Sequence, residues 1–338
     1  MSASSELPLV SVVTPCLDPG WRLKRCIDSV KAQTYPRIEH IVVDGGSTDG
    51  TIDLLRGTDD LVWVSESDSG QTEAINKGFA MASGDILTWL NADDEFLPGA
   101  IERTVTVFAD PAIGWSYGNC ELVYPDKTQL WVSPEKLDAD SFDWIMPIPQ
   151  QGWFVRRWAL DRVEYLDESF SLAMDFELCL RLLAQGIPYG RTPATLARFE
   201  IHPDSKTGSN SYVAFLNENA RAMQKWGRIT AYFMLQGQSC AHRVAVDDVV
   251  QTGALLQDLS RCLETHGDAA RRMKATIKAD AYTAAAQIES KSAINDKPLR
   301  ALRWLFRPAP WTFGVTRCRF PDLFRTSVAR WLEARGAR

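Results

Sequence analysis

The sequence predicts an α/β protein built on a doubly wound, mostly parallel sheet, followed by a helical C-terminal extension. Three observations carry that expectation. Between residues 9 and 110, short apolar β-prone runs alternate with segments of helical periodicity. Each run stops at polar or acidic residues: Thr14, Asp44, the Glu66/Asp68 pair, and Asp93/Asp94. Past residue 225 the strand pattern gives way to long helical stretches and an arginine-rich end.

Leu9 to Thr14 reads as a buried strand closed by Pro15, with a loop from Cys16 to Gly20. Trp21, Leu23, Cys26, Ile27 and Val30 recur at helical spacing. Ile38 to Val43 is a second strand ending at Asp44. Gly45 to Thr51 is a tight turn whose Ser, Thr and Asp side chains suit a helix N-terminus. Leu61 to Val64 is a third strand, and Ala74 to Ala82 a helix stopped by Gly84. Ile86 to Leu90 is the fourth strand, and Ile101 to Phe108 another helix. Ile113 to Val123 leads into a hairpin turn at Tyr124-Pro125-Asp126-Lys127, and Pro134 to Pro149 is irregular. Gln150 to Arg157 reads as a strand with polar residues at its entrance. Phe176 to Leu183 is helical, with Arg181 on its polar side and Asp175 at its N-terminus. Residues 1–225 are expected as one domain, with halves 9–110 and 111–225, and residues 226–338 as the extension.

The 338 residues are 45% hydrophobic and 24% charged, a globular composition. A net charge of -6 argues against nucleic acid as a partner. Seven scattered cysteines, an odd number, fit a reduced compartment. Met1 to Pro8 lacks the apolar core of a signal peptide, and no apolar run approaches a membrane span. The expected location is cytoplasmic, with any membrane contact peripheral.

Asp93 and Asp94 concentrate the chemistry. Adjacent carboxylates repel, and leaving water costs them more. A cation at the strand end would offset both costs, and oxygen ligands suit Mg²⁺ or Mn²⁺, which also bind phosphate oxygens. In open α/β sheets, ligands sit beyond the carboxyl ends of the strands. The competing reading is a solvated acidic turn capping the helix near Pro98. Asp44 suits a base N–H or a ribose hydroxyl. Gly-x-Gly-x-x-Gly is absent from the Gly45-Gly46 turn, and no phosphate-binding loop of the Gly-x-x-x-x-Gly-Lys type occurs. Asp175, taken alone, reads as a helix N-cap. His202 and Lys206 share a loop, where they suit a metal ligand and a phosphate contact.

Seven motifs in order resemble the family-2 glycosyltransferases, inverting enzymes of the GT-A fold. They are Val-Val-Thr-Pro at 12–15, Val-Asp-Gly-Gly-Ser-Thr-Asp-Gly-Thr at 43–51, Glu-Ser-Asp-Ser-Gly-Gln at 66–71 and Ala-Ile-Asn-Lys-Gly at 74–78. Leu-Asn-Ala-Asp-Asp at 90–94, Met-Asp-Phe-Glu-Leu at 174–178 and His-Pro-Asp-Ser-Lys at 202–206 complete the set. The resemblance runs from Val10 to about Ser209. It implies a hexosyltransferase using a nucleotide-sugar donor, UDP being the family's commonest nucleotide, with Mn²⁺ or Mg²⁺ as cofactor. It implies Asp175 as general base and Asp44 as the base-binding carboxylate. Asp93 and Asp94 would serve ribose and metal, with His202 as a further metal ligand. Donor contacts would come from Thr14, Pro15, Asp44, Asp68, Gln71, Asn76, Lys77, Asn91, Asp93 and Lys206. Gln150, Gln151 and Trp153 would stand on the acceptor side. The implied acceptor is a growing surface polysaccharide or a lipid-linked glycan. Many members carry Asp where this chain has Asn91, so the first position of Asp-x-Asp is neutral, which leaves Asp93, Asp94 or both as metal ligands. The competing class is a catalytically inactive nucleotide-sugar-binding module. Such a module would lack a base, and Asp175 argues against it.

Pro298 to Arg338 is rich in arginine against two acids, Asp322 and Glu333. Leu299, Leu302 and Phe306 share a face, beside Arg300, Arg303 and Arg307; Phe320, Leu323, Phe324, Val328, Trp331 and Leu332 repeat the pattern. That face suits the chain's own domain, a second copy in a homo-oligomer, or an anionic membrane.

Overall fold

The computed structural model describes residues 7–137, 146–203, 205–206 and 212–226. Strands Val10–Cys16 (β1), Ile38–Asp44 (β2), Val62–Ser65 (β3) and Ile86–Trp89 (β4) alternate with helices Arg22–Lys31 (α1), Thr51–Arg56 (α2) and Gln71–Met81 (α3). The second half adds strands Glu95–Phe96 (β5), Trp115–Val123 (β6), Thr128–Trp131 (β7), Phe154–Arg156 (β8) and Tyr189–Glu200 (β9). Its helices are Ala100–Val107 (α4), Arg157–Val163 (α5), Met174–Ala184 (α6) and Tyr212–Lys225 (α7). The strands form one sheet in the order β3-β2-β1-β4-β8-β6-β9-β5, with β7 on β6. β1 to β4 are parallel, so their carboxyl ends share an edge. β8 runs against both β4 and β6, while β9 is parallel to β6.

Strand alternation explains the layering. Val13, Ile41 and Val43 face one core with Ile75 and Phe79 of α3, and with residues of α5 and α6. Val10 and Val12 face the other, with Cys26 and Val30 of α1 and Ile101 of α4. Two glycines set how closely helix and sheet approach. A Cβ on Gly78 of α3 would stand 2.3 Å from Val13 Cγ1. On Gly84 it would stand 2.5 Å from Ser11 Oγ.

Several local expectations are corrected. Pro15 does not close β1, which continues to Cys16. Val13 and Cys16 carbonyls accept from Leu90 and Gly45, so odd positions face β4 and even ones β2. β4 stops at Trp89, opposite Val13, so the N–H that Pro15 lacks falls where no partner strand runs. Trp21 is exposed just before α1, its ring under the guanidinium of Arg25 at 4.9 Å. Gly84 acts through close packing, because α3 has already ended at Met81. The strand expected over Gln150–Arg157 is a 3₁₀ turn at Gln150–Gly152 and then β8. Arg181 lies buried rather than on a polar face, 2.7 Å from the buried Glu177. Glu177 also accepts from Lys225 Nζ at 2.8 Å and Trp226 Nε1 at 3.0 Å, so this charge network docks α7 on α6. The expected helical extension lies outside the described residues beyond Trp226, as does the whole arginine-rich segment. Among the described residues, no helix is long and apolar enough to cross a membrane. Cys16, Cys26, Cys120 and Cys179 are buried free thiols.

Candidate active site

The acidic end of β4 splits into two different carboxylates. Asp94 is buried. Its Oδ2 accepts from Gln151 Nε2 at 2.9 Å and Asn91 Nδ2 at 3.1 Å, and its Oδ1 from the Glu200 N–H at 3.2 Å. Burial first, then repulsion from Asp93, pushes its pKa well above the usual carboxylate range, against those hydrogen bonds. Asp93 is partly exposed, and its Oδ2 lies 3.1 Å from His202 Nε2. One carboxyl is therefore locked into the fold, while the other stands at the surface beside an imidazole. Arg25 holds the turn from behind: it donates to the Asp93 carbonyl at 3.1 Å, pairs with Glu95 at 2.9 Å and also binds Glu200. A cavity of about 190 Å³ opens beside Asp93, between Arg25, Glu95, Arg198 and Glu200. Arg25 is paired as described, and Arg198 binds Glu121 at 2.8 Å.

Asn91 joins the neighbouring strand edge to this turn. Gln71 donates to Asn91 Oδ1 at 2.7 Å, while Asn91 Nδ2 donates to Asp94. A carboxylate at position 91 could not donate, and would repel Asp94. The neutral residue that departs from Asp-x-Asp is thus matched to a buried partner.

Asp44, at the end of β2, is also buried. Its Oδ2 accepts from the N–H groups of Gly46 (3.1 Å) and Ser47 (3.0 Å) and from Ser65 Oγ (2.6 Å), and its Oδ1 from Ser47 Oγ. Burial opposes ionisation, but hydrogen bonds from Ser47 and Ser65 hold its pKa below the ordinary value. The carboxylate shapes the Gly45–Ser47 turn. Asp68 packs on that turn, its Oδ2 only 2.9 Å from where a Gly45 Cβ would stand. Thr14 lies below the edge, its hydroxyl 2.9 Å from His40 Nε2. On α3, Asn76 Nδ2 donates to the Leu166 carbonyl and Glu168, and Lys77 pairs at 2.8 Å with Glu66, just past the end of β3.

Asp175 is not the N-cap of α6, a position held by Ala173 without a side-chain cap. It sits in the first turn, and its Oδ1 accepts the Phe176 N–H at 2.8 Å. The residue keeps some exposed surface, but loss of hydration raises its pKa to about 6, with the Phe176 N–H and then Lys206 opposing and Glu218 reinforcing. A carboxylate with that value suits proton transfer near neutral pH. Lys206 Nζ donates to the Ser171 carbonyl at 2.7 Å. The segment after β9 therefore reaches both acidic groups, with His202 on Asp93 and Lys206 beside Asp175. Gln150, Gln151 and Trp153 are all turned into the fold. Gln150 Nε2 donates to the Trp89 carbonyl at 2.8 Å, Gln151 holds Asp94, and Trp153 stacks edge-on with Trp89 at 6.0 Å.

The profile of Glycosyl transferase family 2 matches residues 11–174. An uncharacterized glycosyltransferase of Mycobacterium tuberculosis is 34% identical over 186 residues, which are 52% of this chain and 70% of that protein. The chain belongs to glycosyl transferase family 2. The fold agrees with that membership. The crystal structure of Staphylococcus aureus TarS 1-349 in complex with UDP-GlcNAc matches with a TM-score of 0.62 at 12% identity, covering 88% of this family-2 chain and 90% of that one. The mannosyltransferase PcManGT from Pyrobaculum calidifontis, in complex with GDP-Man and Mn²⁺, matches with a TM-score of 0.51 at 18% identity, covering 89% and 88%. The sheet is of the GT-A type, as the motifs imply.

Sequence reasoning missed Arg25, Ser47, Ser65, Glu200 and Glu218 in this family-2 site. Ser47 was within reach, being three residues from Asp44 inside a quoted motif. Arg25 and Glu200 are 175 positions apart, and no local pattern announces their pairing.

Proposed function

We propose that the chain is an inverting, metal-dependent hexosyltransferase that moves a sugar from a nucleoside diphosphate donor, a UDP-sugar in the simplest case, to an acceptor hydroxyl. The observation that carries this reading is the segment after β9, which links a partly exposed carboxylate–imidazole pair, Asp93 and His202, to a carboxyl of raised pKa, Asp175. Asp175 accepts the hydroxyl proton as the acceptor oxygen bonds to the anomeric carbon and the carbon–oxygen bond to the diphosphate breaks. A single displacement of this kind inverts the anomeric centre. The inactive binding module has no use for such a base.

Asp93 and His202 fit a divalent ion, their donor atoms 3.1 Å apart on a half-open edge. Among the described residues no cluster of three His, Cys, Asp or Glu surrounds them. Two protein ligands leave the remaining positions to diphosphate oxygens and water, the usual arrangement for Mg²⁺ and Mn²⁺ at phosphates, and an imidazole favours Mn²⁺. When bound, the cation offsets charge gathering on the leaving diphosphate. Asp93 rather than Asp94 is the ligand, because every donor around Asp94 belongs to the fold. Asp44 orders the Gly45–Ser47 turn against which the nucleobase lies, and Asp68 and Gln71 border the ribose. The acceptor class, a surface polysaccharide or lipid-linked glycan, follows family resemblance, and the segment 298–338 would hold the protein at an anionic membrane face.

Calorimetric titration with UDP and with GDP, each with and without Mn²⁺, tests the site. Asp93→Ala should abolish the Mn²⁺-dependent part of binding with the melting temperature held. Equal affinity in wild type and Asp93→Ala would remove the metal role.

A further inference from the structure

We propose that Glu218 is a positioning residue for Asp175: from α7, its carboxylate gathers three successive backbone N–H groups and so fixes the turn that presents the base. The inference rests on the reading of Asp175 given above. α6 begins without a side-chain cap of its own. Glu218, from α7, instead accepts from the three residues that lead into the helix. Its oxygens take the Ser171 N–H at 3.1 Å, the Ser171 hydroxyl at 2.9 Å, the Leu172 N–H at 2.8 Å and the Ala173 N–H at 2.9 Å. Consecutive N–H groups turned on one anion form a concave cradle that selects a charged occupant. Burial opposes that charge, yet the bonds from Ala173, Leu172 and Ser171 hold the Glu218 pKa below its ordinary value.

Lys206 grips the same turn from its carbonyl side, at Ser171. The loop is thus held by a cation on its C=O and an anion on its N–H groups, two residues before Asp175. α7 also docks through contacts that do not involve Glu218. Glu177 binds Lys225 and Trp226, Lys225 binds Asp167 at 2.7 Å, and Arg221 stacks over Phe170 at 4.1 Å. The charged and titratable groups that face Asp175 are Lys206 from the segment after β9, Glu218 from α7 and Cys179 from α6 itself. Glu218 therefore has two effects on the base: it holds its position, and it resists its ionisation.

Glu218→Gln keeps the shape and removes the anion. Three measurements follow: ¹³C NMR titration of the Asp175 carboxyl, hydrogen exchange at Ser171, Leu172 and Ala173, and steady-state release of nucleoside diphosphate from UDP-GlcNAc and GDP-mannose with water as acceptor. The variant should speed exchange at those three amides and lower the Asp175 midpoint. It should cut kcat by roughly 10²-fold, the usual cost of about 1 Å of misplacement, with KM for the donor unchanged. Glu218→Asp, one methylene shorter, should recover part of kcat and the wild-type direction of the titration, and carries the test should Glu218→Gln fold poorly. An Asp175 midpoint and amide exchange identical to wild type overturn the proposal, as does a loss confined to KM. Asp175→Asn distinguishes the two readings. If it releases diphosphate at the wild-type rate, the base assignment fails; if it is inactive while Glu218→Gln keeps full kcat, only the Glu218 assignment fails.

Discussion

Asp175→Asn should make the protein more stable and less active, with the gain confined to neutral and alkaline pH. In the folded chain, lost hydration raises the Asp175 carboxyl from 3.8 to about 6. Since the folded value lies above the unfolded one, the folded chain holds the proton more tightly. Its stability is full below about pH 4 and falls as pH rises through about 6. At roughly 1.4 kcal/mol per tenfold change in acidity, the cost above pH 7 approaches about 3 kcal/mol. Residual solvent contact lessens it, and the carboxylate regains about 0.3–1 kcal/mol from its place in the first turn of a helix. Asparagine avoids the charge and can still accept the Phe176 N–H. The expected gain is therefore about 2 kcal/mol at pH 8, vanishing near pH 4. Over the same range turnover should fall about 10²–10⁴-fold, the usual worth of a general base. Urea unfolding at pH 4 and pH 8, beside diphosphate release from a sugar nucleotide, measures both. A variant less stable than wild type at pH 8, or one with full turnover, would refute the reasoning and return Asp175 to a structural role.

Other predictions follow from neighbouring geometry. Asp94→Ala should behave unlike Asp93→Ala: it strands the Gln151 amide and the Glu200 N–H, and denaturant titration should show a loss of about 1–3 kcal/mol. Wild-type turnover should show an acid limb with a midpoint near 6, from Asp175, and a flat profile between pH 4 and 7 would contradict it. Gly78→Ala should cost about 1–3 kcal/mol, because its methyl would meet Val13 Cγ1 at 2.3 Å; a neutral result in urea unfolding would show that α3 can retreat from the sheet. Truncation after residue 297 should abolish flotation with anionic vesicles at low salt, since each arginine near such a surface contributes on the order of 1 kcal/mol; equal flotation would remove the segment from membrane contact.

What the sequence made legible is what local pattern encodes. Short continuous apolar runs and turn residues marked β1 to β4, and their shared acidic edge needed only the parallel connection rule. The limits were physical. Pro15 looked like a stop because a residue's neighbour strands are invisible in its own segment, and here the adjacent strand happens to have ended. Gln150 and Gln151 read as polar residues at a strand entrance, yet Gln150 spends its amide on the Trp89 carbonyl of β4 and Gln151 on the buried Asp94 in the turn beyond it. Asp93 and Asp94 are chemically identical in sequence, and only Gln151, Asn91 and the Glu200 N–H distinguish the buried one from the exposed one. Glu218 lay beyond the last motif, where helical periodicity says nothing of which loop a side chain will reach.

The ion pairs of Arg25 have a consequence for the order in which the chain can mature. β5 follows the acidic turn at once but, among the described residues, pairs with β9, and Arg25, which holds the Asp93 carbonyl, binds Glu200 175 positions away. A nascent chain that has emerged through residue 110 holds all four parallel strands and both aspartates, yet not the strand that ties them. Closing so long a loop costs entropy that only native contacts at the far end return. The acidic edge is therefore completed only once β9 has been made, downstream of the segment that carries Asp175.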